Sequence, residues 1–462
     1  MKKNFSHLLL ATICNLFLSF SIFSQQWQFK IIDEGVKSSI AVDSKGIPHV
    51  AYMLEAMPGF LRHAVLDGDD FAITEIDQAY YYGPLDIAID ADDLPAIALH
   101  NHDDIDENVY VKTVQGDWEK NRIEDPGHDG WDNSITFDSN NYPHTSSVDP
   151  QQFGGNGVEY AWFDGSSWQV ENIGSGPIPY EFATSIALDD SDNPHITYFD
   201  ANNNDLRYAS KISGEWVIEV VDTAGGMFSS LVLDENNFPH ISYYKREMDD
   251  LGSIFYAYFD GNEWNISPVD NLSNLPIAFT GARSVTSLAK DGNGNYHLTY
   301  GDRDVVKYAV LKDGNWEIET VVDVSADETI LGAETSLALD GEGNPHITWF
   351  EATNLNPLRG IVRYGSKMTV VSTNDLDSSK ALKIKAFPNP GGSEITIEYA
   401  FGRNEKAEFS IHNFIGNLVQ QQKLENPSGQ LVVEARSLSP GIYFVILKTD
   451  AKMVSQKLVV SY

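Results

Sequence analysis

Tyrosine, histidine, tryptophan and arginine gather where this chain departs from its own internal repeat. Tyr80, Tyr81 and Tyr82 precede one repeat unit, and His100, Asn101 and His102 follow that unit's second strand-like segment. His128 and Trp131 precede the next unit and Tyr180 the one after, while Lys245, Arg246, Arg283 and Arg303 fall at matching places further on. Two kinds of chemistry suit such a set. Tyr and Trp rings stack on sugar rings while Arg and Asn read hydroxyls or carboxylates. Alternatively, β-elimination on a uronate polymer needs a cation on the carboxylate, a base for the C5 proton and an acid for the leaving oxygen. Tyr80, Tyr82, His100, His102, Arg246 and Arg303 are the catalytic candidates for that reaction. Tyr81, His128, Trp131, Tyr180, Lys245 and Arg283 are the ligand-binding candidates.

The elements that must position these residues are set by a phrase that recurs seven times. An Asp-containing turn leads into a Pro-His strand start: Asp43 to Pro48-His49, Asp90 to Pro95-Ala96, Asp138 to Pro143-His144, Asp189 to Pro194-His195, Asp234 to Pro239-His240, Asp291 to Tyr296-His297 and Asp340 to Pro345-His346. Successive copies lie 45 to 57 residues apart. That period, filled with short alternating segments, predicts a β-propeller. Each unit holds four strand-like segments, the third marked by a Tyr-Ala pair such as Tyr208-Ala209 and the fourth led by Trp, as at Trp216 and Trp316. Alternation, β-branched residues and Gly/Asp/Asn turns favour strands. The last unit stops after Val362-Arg-Tyr364 without a Trp-led segment, and the missing segment stands near the start of the chain as Trp27 to Asp33. The expectation is therefore an all-β chain: a seven-bladed β-propeller over residues 25–366, closed by the N-terminal strand so that no edge is left unpaired. The irregular residues then fall on the face built from loops between blades and after second strands, where loops on a rigid scaffold carry function.

The repeated histidines do not share in that chemistry. Six copies spaced around a ring cannot converge on one metal ion, and each is expected to satisfy backbone groups in its own or the next blade. Asp291-Gly-Asn293-Gly-Asn295 has the opening spacing of an oxygen-ligand calcium loop, and Asp189 to Asn193 comes close. Neither carries the distant bidentate Glu, and a tight hairpin turn needs the same residues. Ca2+ thus stays open at Asp291, Asn293 and Asn295, and no cofactor is required.

A net charge of -36 and a pI near 4.5 argue against nucleic acid or an anionic membrane as partner. Residues 1–24 read as a signal peptide: Lys2 and Lys3, an apolar run, then Ser24. The one cysteine, Cys14, lies within that run, so the exported chain has neither disulfides nor thiolate chemistry. No later stretch reaches the ~20 apolar residues of a membrane span. Enzymes with other signatures are disfavoured, because the chain has no Gly-x-Ser-x-Gly, no His-Glu-x-x-His and no phosphate loop. Asp164-Gly-Ser-Ser-Trp168 and Asp260-Gly-Asn-Glu-Trp264 place Gly beside Asp, which breaks the sialidase box.

After a polar linker, residues 367–382, the pattern changes. Phe387-Pro-Asn-Pro390, Ile411 to Asn417, Leu438-Ser-Pro-Gly-Ile-Tyr-Phe-Val445 and Lys457 to Val460 follow in order. Residues 383–462 closely resemble the type A C-terminal sorting domain of the Bacteroidetes type IX secretion system. The resemblance implies a small β-sandwich, engagement of the type IX secretion machinery, and release or display at the outer cell surface. The repeat region resembles ulvan-type polysaccharide lyases in architecture, and those enzymes use a Tyr/His/Arg set. Their motif does not align here residue by residue, so no catalytic role is carried over. The functional expectation is a secreted or surface-displayed propeller that binds extracellular polysaccharide through one face. A lyase acting on a uronate polymer such as ulvan is the alternative, and a protein-binding scaffold a further one.

Overall fold

The computed structural model describes residues 24–460 except 55–58, 80, 102–106, 124–129, 150–156, 175–183, 247–251, 273–285, 303, 325–329, 356–357, 371–382, 388–393, 402–405, 414–416, 425 and 450–452. Residues 25–369 form one compact unit and the C-terminal sheets belong to a second.

The first unit is built of seven four-stranded sheets. Sheets I to VI span residues 36–79, 81–122, 131–172, 185–222, 227–271 and 286–323, each an antiparallel meander in chain order. Sheet VII joins three strands within 330–370 to the N-terminal strand Ser24–Glu34, which pairs with Leu358–Val370. Burial grades across each sheet. Second strands such as Pro194–Asp200 are buried at every residue, His195, Thr197 and Asp200 included, because neighbouring sheets cover both faces. Fourth strands such as Glu215–Asp222 are mostly exposed and alternate.

The repeated Asp makes the same turn seven times. Its Oδ1 accepts from the amides two and four residues on, as Asp43 does from Lys45 and Ile47 and Asp291 from Asn293 and Asn295, at 2.8 to 2.9 Å. The residue three positions on takes a left-handed backbone: Gly46, Asp93, Asn141, Asp192, Asn237, Gly294 and Gly343. Only Gly, Asn and Asp tolerate that conformation cheaply, which explains the composition of the phrase. Where this residue is Asp or Asn, its side chain also reaches the preceding sheet's turn. Asp93 accepts from the Ser44 amide at 2.9 Å, Asn141 from Ala91 at 2.8 Å, Asp192 from Ser139 at 2.9 Å and Asn237 from Asp190 at 3.3 Å. Gly294, Gly343 and Gly46 have no side chain with which to make this latch.

The repeated histidine is held by side chains rather than by backbone. His144, His297 and His346 meet Tyr160, Tyr308 and Tyr364 through Nδ1 at 2.6, 2.5 and 2.6 Å. The other ring nitrogen faces the turn Asp of the same sheet, at 3.6 Å for Asp138, 3.4 Å for Asp291 and 3.5 Å for Asp340. Burial lowers the affinity of each ring for a proton, against the pull of that carboxylate. Two sheets vary the theme. In sheet I, His63 stands at the Tyr position and meets His49 at 3.0 Å. In sheet II, Ala96 leaves a gap that its cross-strand partner Lys112 fills, its Nζ lying 2.7 Å from the buried Asp90 carboxylate.

First strands pack side by side, and a hydrogen-bond relay links them. Ile87 N donates to Ser39 Oγ, Ile135 N to Asp86 Oδ2, Ile186 N to Ser134 Oγ and Leu231 N to Ser185 Oγ. Leu288 N donates to Ser230 Oγ and Leu337 N to Ser287 Oγ, and Ile40 N returns the relay to Ser336 Oγ at 3.1 Å.

The second unit pairs a three-stranded sheet (Lys383–Phe387, Glu394–Ala400, Ser428–Glu434) with a four-stranded one (Leu418–Leu424, Ala407–Asn413, Gly441–Thr449, Met453–Val460). Ile395, Ile397, Phe409, Ile411, Val445 and Leu447 fill a shared core, the arrangement of a β-sandwich.

Candidate functional site

The seven first strands line a narrow polar cavity of about 110 Å³, to which every one of the seven sheets contributes. Six sheets place Ser at the relay position; sheet II places Asp86. Its carboxylate accepts from Ser39 Oγ at 2.9 Å, Ser134 Oγ at 3.2 Å and the Ile135 amide at 3.0 Å. Burial raises its pKa, with these hydrogen bonds working against the rise. Two residues earlier in the first strands stand Lys37, Asp132 and Glu334, all buried. Lys37, Asp132 and Phe228 take left-handed backbones at φ 54, 58 and 56, each within a bulge where pairing with the second strand shifts register. Such bulges re-aim side chains next to functional sites. Lys37 and Glu334 line the cavity.

Beside sheet III's bulge, at the junction of sheets II and III, His100 and Trp131 stack with ring centroids 4.5 Å apart and planes 29° from parallel. His100 is the penultimate residue of the second strand of sheet II and Trp131 opens the first strand of sheet III. Both are buried, together with Asn101, Asn108, Asp132 and Asn133. Asn108 Nδ2 donates to Ser147 Oγ at 3.3 Å, and Asn133 Nδ2 donates to the Gly130 carbonyl. Gly130 sits at φ 84, and a Cβ there would collide with Asn108. The chain thus reaches Trp131 through a turn that only glycine fits. The junction thus holds a buried polar cluster packed against a stacked aromatic pair.

Of the residues singled out in sequence, the structure brings His100 and Trp131 together. Lys245 belongs to the next-but-one junction. Its Nζ lies 3.0 Å from Asp222 and over the Phe255 ring, while Tyr243 donates to the same carboxylate at 2.7 Å. Arg246, next in the strand, is exposed. Tyr81 and Tyr82 lie in the first strand of sheet II, paired with Asn101 and His100. Tyr80, His102, His128, Tyr180, Arg283 and Arg303 fall outside the described residues. At the calcium candidate, Asp291 Oδ1 accepts the Asn293 and Asn295 amides, and Oδ2 accepts Asn295 Nδ2 at 2.8 Å. Among the described residues no three His, Cys, Asp or Glu side chains converge as a metal site. Lys37, Asp86, Asn133 and Glu334 escaped the reading of the sequence. Asp86 and Asn133 could have been found as departures from positions where the other copies carry mostly Ser or Thr, whereas Lys37 and Glu334 stand at a position that has no repeated residue type.

Residues 385–461 match the family described as the secretion system C-terminal sorting domain. The C-terminal unit is a type IX sorting domain, and the protein is exported by that system to the cell surface or extracellular space. No helix among the described residues is long and apolar enough to cross a membrane. No curated protein matches the chain. Among solved structures, an ulvan lyase from a new polysaccharide lyase family shares 12% identity over 73% of this chain and 95% of its own, with a TM-score of 0.46. The AofleA protein of Arthrobotrys oligospora shares 12% over 64% of this chain and 90% of its own, with a TM-score of 0.42. The six-bladed fucose-recognising lectin of Aleuria aurantia shares 14% over 64% of this chain and 98% of its own, with a TM-score of 0.43. None of these likenesses is close enough to transfer a ligand or a reaction.

Proposed function

We propose that the seven sheets are the blades of one closed propeller and that the exported protein binds extracellular glycan at one end of the ring. The relay from sheet I through sheet VII and back to Ser336 supports closure. The observation that carries the binding reading is the His100–Trp131 stack set among Asn101, Asn108, Asp132 and Asn133. Aromatic faces and amide groups suit sugar rings and their hydroxyls, and a rigid sheet junction lowers the entropic cost of holding them. The net charge of -36 favours binding to weakly charged polymers over strongly anionic ones at low salt.

The test is affinity electrophoresis of the exported protein through a panel of neutral and uronate-containing algal and plant polysaccharides, with ultraviolet absorbance followed for new unsaturated uronate. Retardation by a polymer without any absorbance rise supports binding. Arg246→Ala then weakens retardation if the end of the ring is the site. A sustained rise on one uronate polymer turns the same end into a lyase active site. No retardation and no product, together with capture of a protein from the cell surface, makes the ring a scaffold.

A further inference from the structure

The rim of the ring carries a second feature, found by comparing one junction with its equivalents. At three junctions the Trp that leads a fourth strand is tied to the preceding sheet through a Glu three residues after that sheet's own Trp. Trp216 Nε1 donates to Glu171 at 3.1 Å, Trp264 Nε1 to Glu219 at 3.0 Å and Trp27 Nε1 to Glu319 at 3.1 Å. Lys211 and Lys367 reinforce two of these ties by pairing with the same Glu171 and Glu319 oxygens.

Between sheets V and VI the Trp stays, as Trp316, but both of its partners are replaced. Ser267 stands where Glu is expected, and Leu311 stands at the position of Lys211 and Lys367. The Trp316 indole N–H is buried and meets no acceptor. The turn latch is missing too, since Gly294 takes the latching position. Tyr296 replaces the repeated Pro; it stacks on His240 at 4.1 Å, and its hydroxyl meets the second ring nitrogen at 2.9 Å. What remains is a cleft of about 640 Å³ walled by Tyr256, Tyr258, Tyr296 and Trp316, with Asn265 and Asn315 among its polar groups. Among the described residues, no Asp, Glu, Lys or Arg lines it. Burial also pushes the His240 proton affinity down to about 4 despite nearby Asp234, so its ring is neutral above that pH.

An unmatched buried donor costs free energy unless something supplies an acceptor. Aromatic walls, uncharged amides and a volume within the usual range for small-ligand sites narrow the choice. We propose that this cleft between the fifth and sixth sheets binds a neutral pyranose, one sugar face on the aromatic wall and a hydroxyl or ring oxygen accepting from Trp316 Nε1. The site is separate from the end of the ring and discriminates against uronates and sulfated sugars, because it holds no cation to match them.

The experiment titrates the full exported protein with methyl glycosides of glucose, galactose, mannose and fucose, and with glucuronate, following tryptophan fluorescence and calorimetric heat. Binding of at least one neutral glycoside, with glucuronate at least about tenfold weaker, is expected. Ser267→Glu writes the residue found at Glu171, Glu219 and Glu319 and gives Trp316 its acceptor. It should lose about tenfold or more in affinity while melting at or above the wild-type temperature. Trp316→Phe keeps a ring but removes the donor, and should weaken binding by about tenfold. Failure of all four neutral glycosides at millimolar concentration overturns the proposal, as does preference for glucuronate or full affinity in a folded Ser267→Glu protein. Polymer retardation by Arg246→Ala reports on the end of the ring separately, so either reading can fail alone.

Discussion

The buried histidines make the first unit acid-labile, and the size of the effect follows from their environments. Burial holds His63 at about 3, with neighbouring His49 adding to the shift, and holds His240 at about 4, against an ordinary value of 6.5. His49, His144, His195, His297 and His346 shift the same way for the same leading reason. A histidine whose folded value lies below its unfolded value stabilises the fold fully above about pH 6.5. That contribution fades as the pH falls toward the folded value, because the unfolded chain takes up the proton first. From pH 8 to pH 5, a group moved from 6.5 to about 4 or lower loses about 2 kcal/mol, so His63 and His240 together lose about 4 kcal/mol. With an unfolding entropy of about 2.1 cal/mol/K per residue over about 345 residues, that corresponds to a fall of roughly 6 °C in Tm, before the other five contribute. Carboxylates held below their ordinary range, such as Asp93 and Asp291 at about 2, act only below about pH 4, whereas Asp86, raised by burial, takes up its proton sooner in the folded state and works against the histidine loss as the pH falls. The assay is calorimetric melting at pH 8, 7, 6 and 5 at constant ionic strength. His63→Tyr, which writes the residue the other sheets carry, should remove about 2 kcal/mol of the acid loss. A melting temperature unchanged from pH 8 to pH 5, or an unaltered slope in His63→Tyr, would refute the reasoning.

Lys112→Met strands the fully buried Asp90 carboxylate and should cost about 3 kcal/mol by denaturant unfolding. Pairing Lys112→Ser with Ala96→His rebuilds the repeat's own arrangement and should recover most of it. Asp86→Ser replaces the one buried carboxylate in the relay with the residue found in six sheets, and should raise stability by about 1 kcal/mol while keeping the Ile135 hydrogen bond. Chelation followed by added calcium should move the melting temperature by less than about 1 °C, because the Asp291 carboxylate is already satisfied by its own turn.

The architecture was legible because the repeat writes its constraints in residue types that have few substitutes. A left-handed backbone three residues after each Asp admits little besides Gly, Asn and Asp, so seven turns announce themselves. Trp27 pointed to its sheet because the last unit lacks a Trp-led segment, and the strand that carries it pairs with Leu358–Val370. The histidines were legible as structural but not in their partners. Nothing in local spacing says that Tyr160, rather than a carbonyl, meets His144 across the strand pair. The site was harder still. His100 and Trp131 lie 31 positions apart on different sheets, and only the sheet junction stacks them. The rim cleft is a difference between junctions. Ser267 and Leu311 are unremarkable in isolation and carry meaning only when set against Glu219 and Lys211 in register. That register is exact only once strands are paired.

The strand Leu358–Val370 lies inside its sheet, bonded on one side to the N-terminal strand and on the other to Pro345–Leu355, and the chain leaves it toward the sorting domain. Tension applied through the C-terminus therefore loads two ladders of hydrogen bonds lengthwise at once instead of peeling a free edge one bond at a time. Were the C-terminal end anchored, drag on the first unit would load that strand along its length, the direction in which paired strands resist most. The N-terminal strand is then more than the last piece of a sheet: it is the outer half of a clamp around the segment that bears the pull.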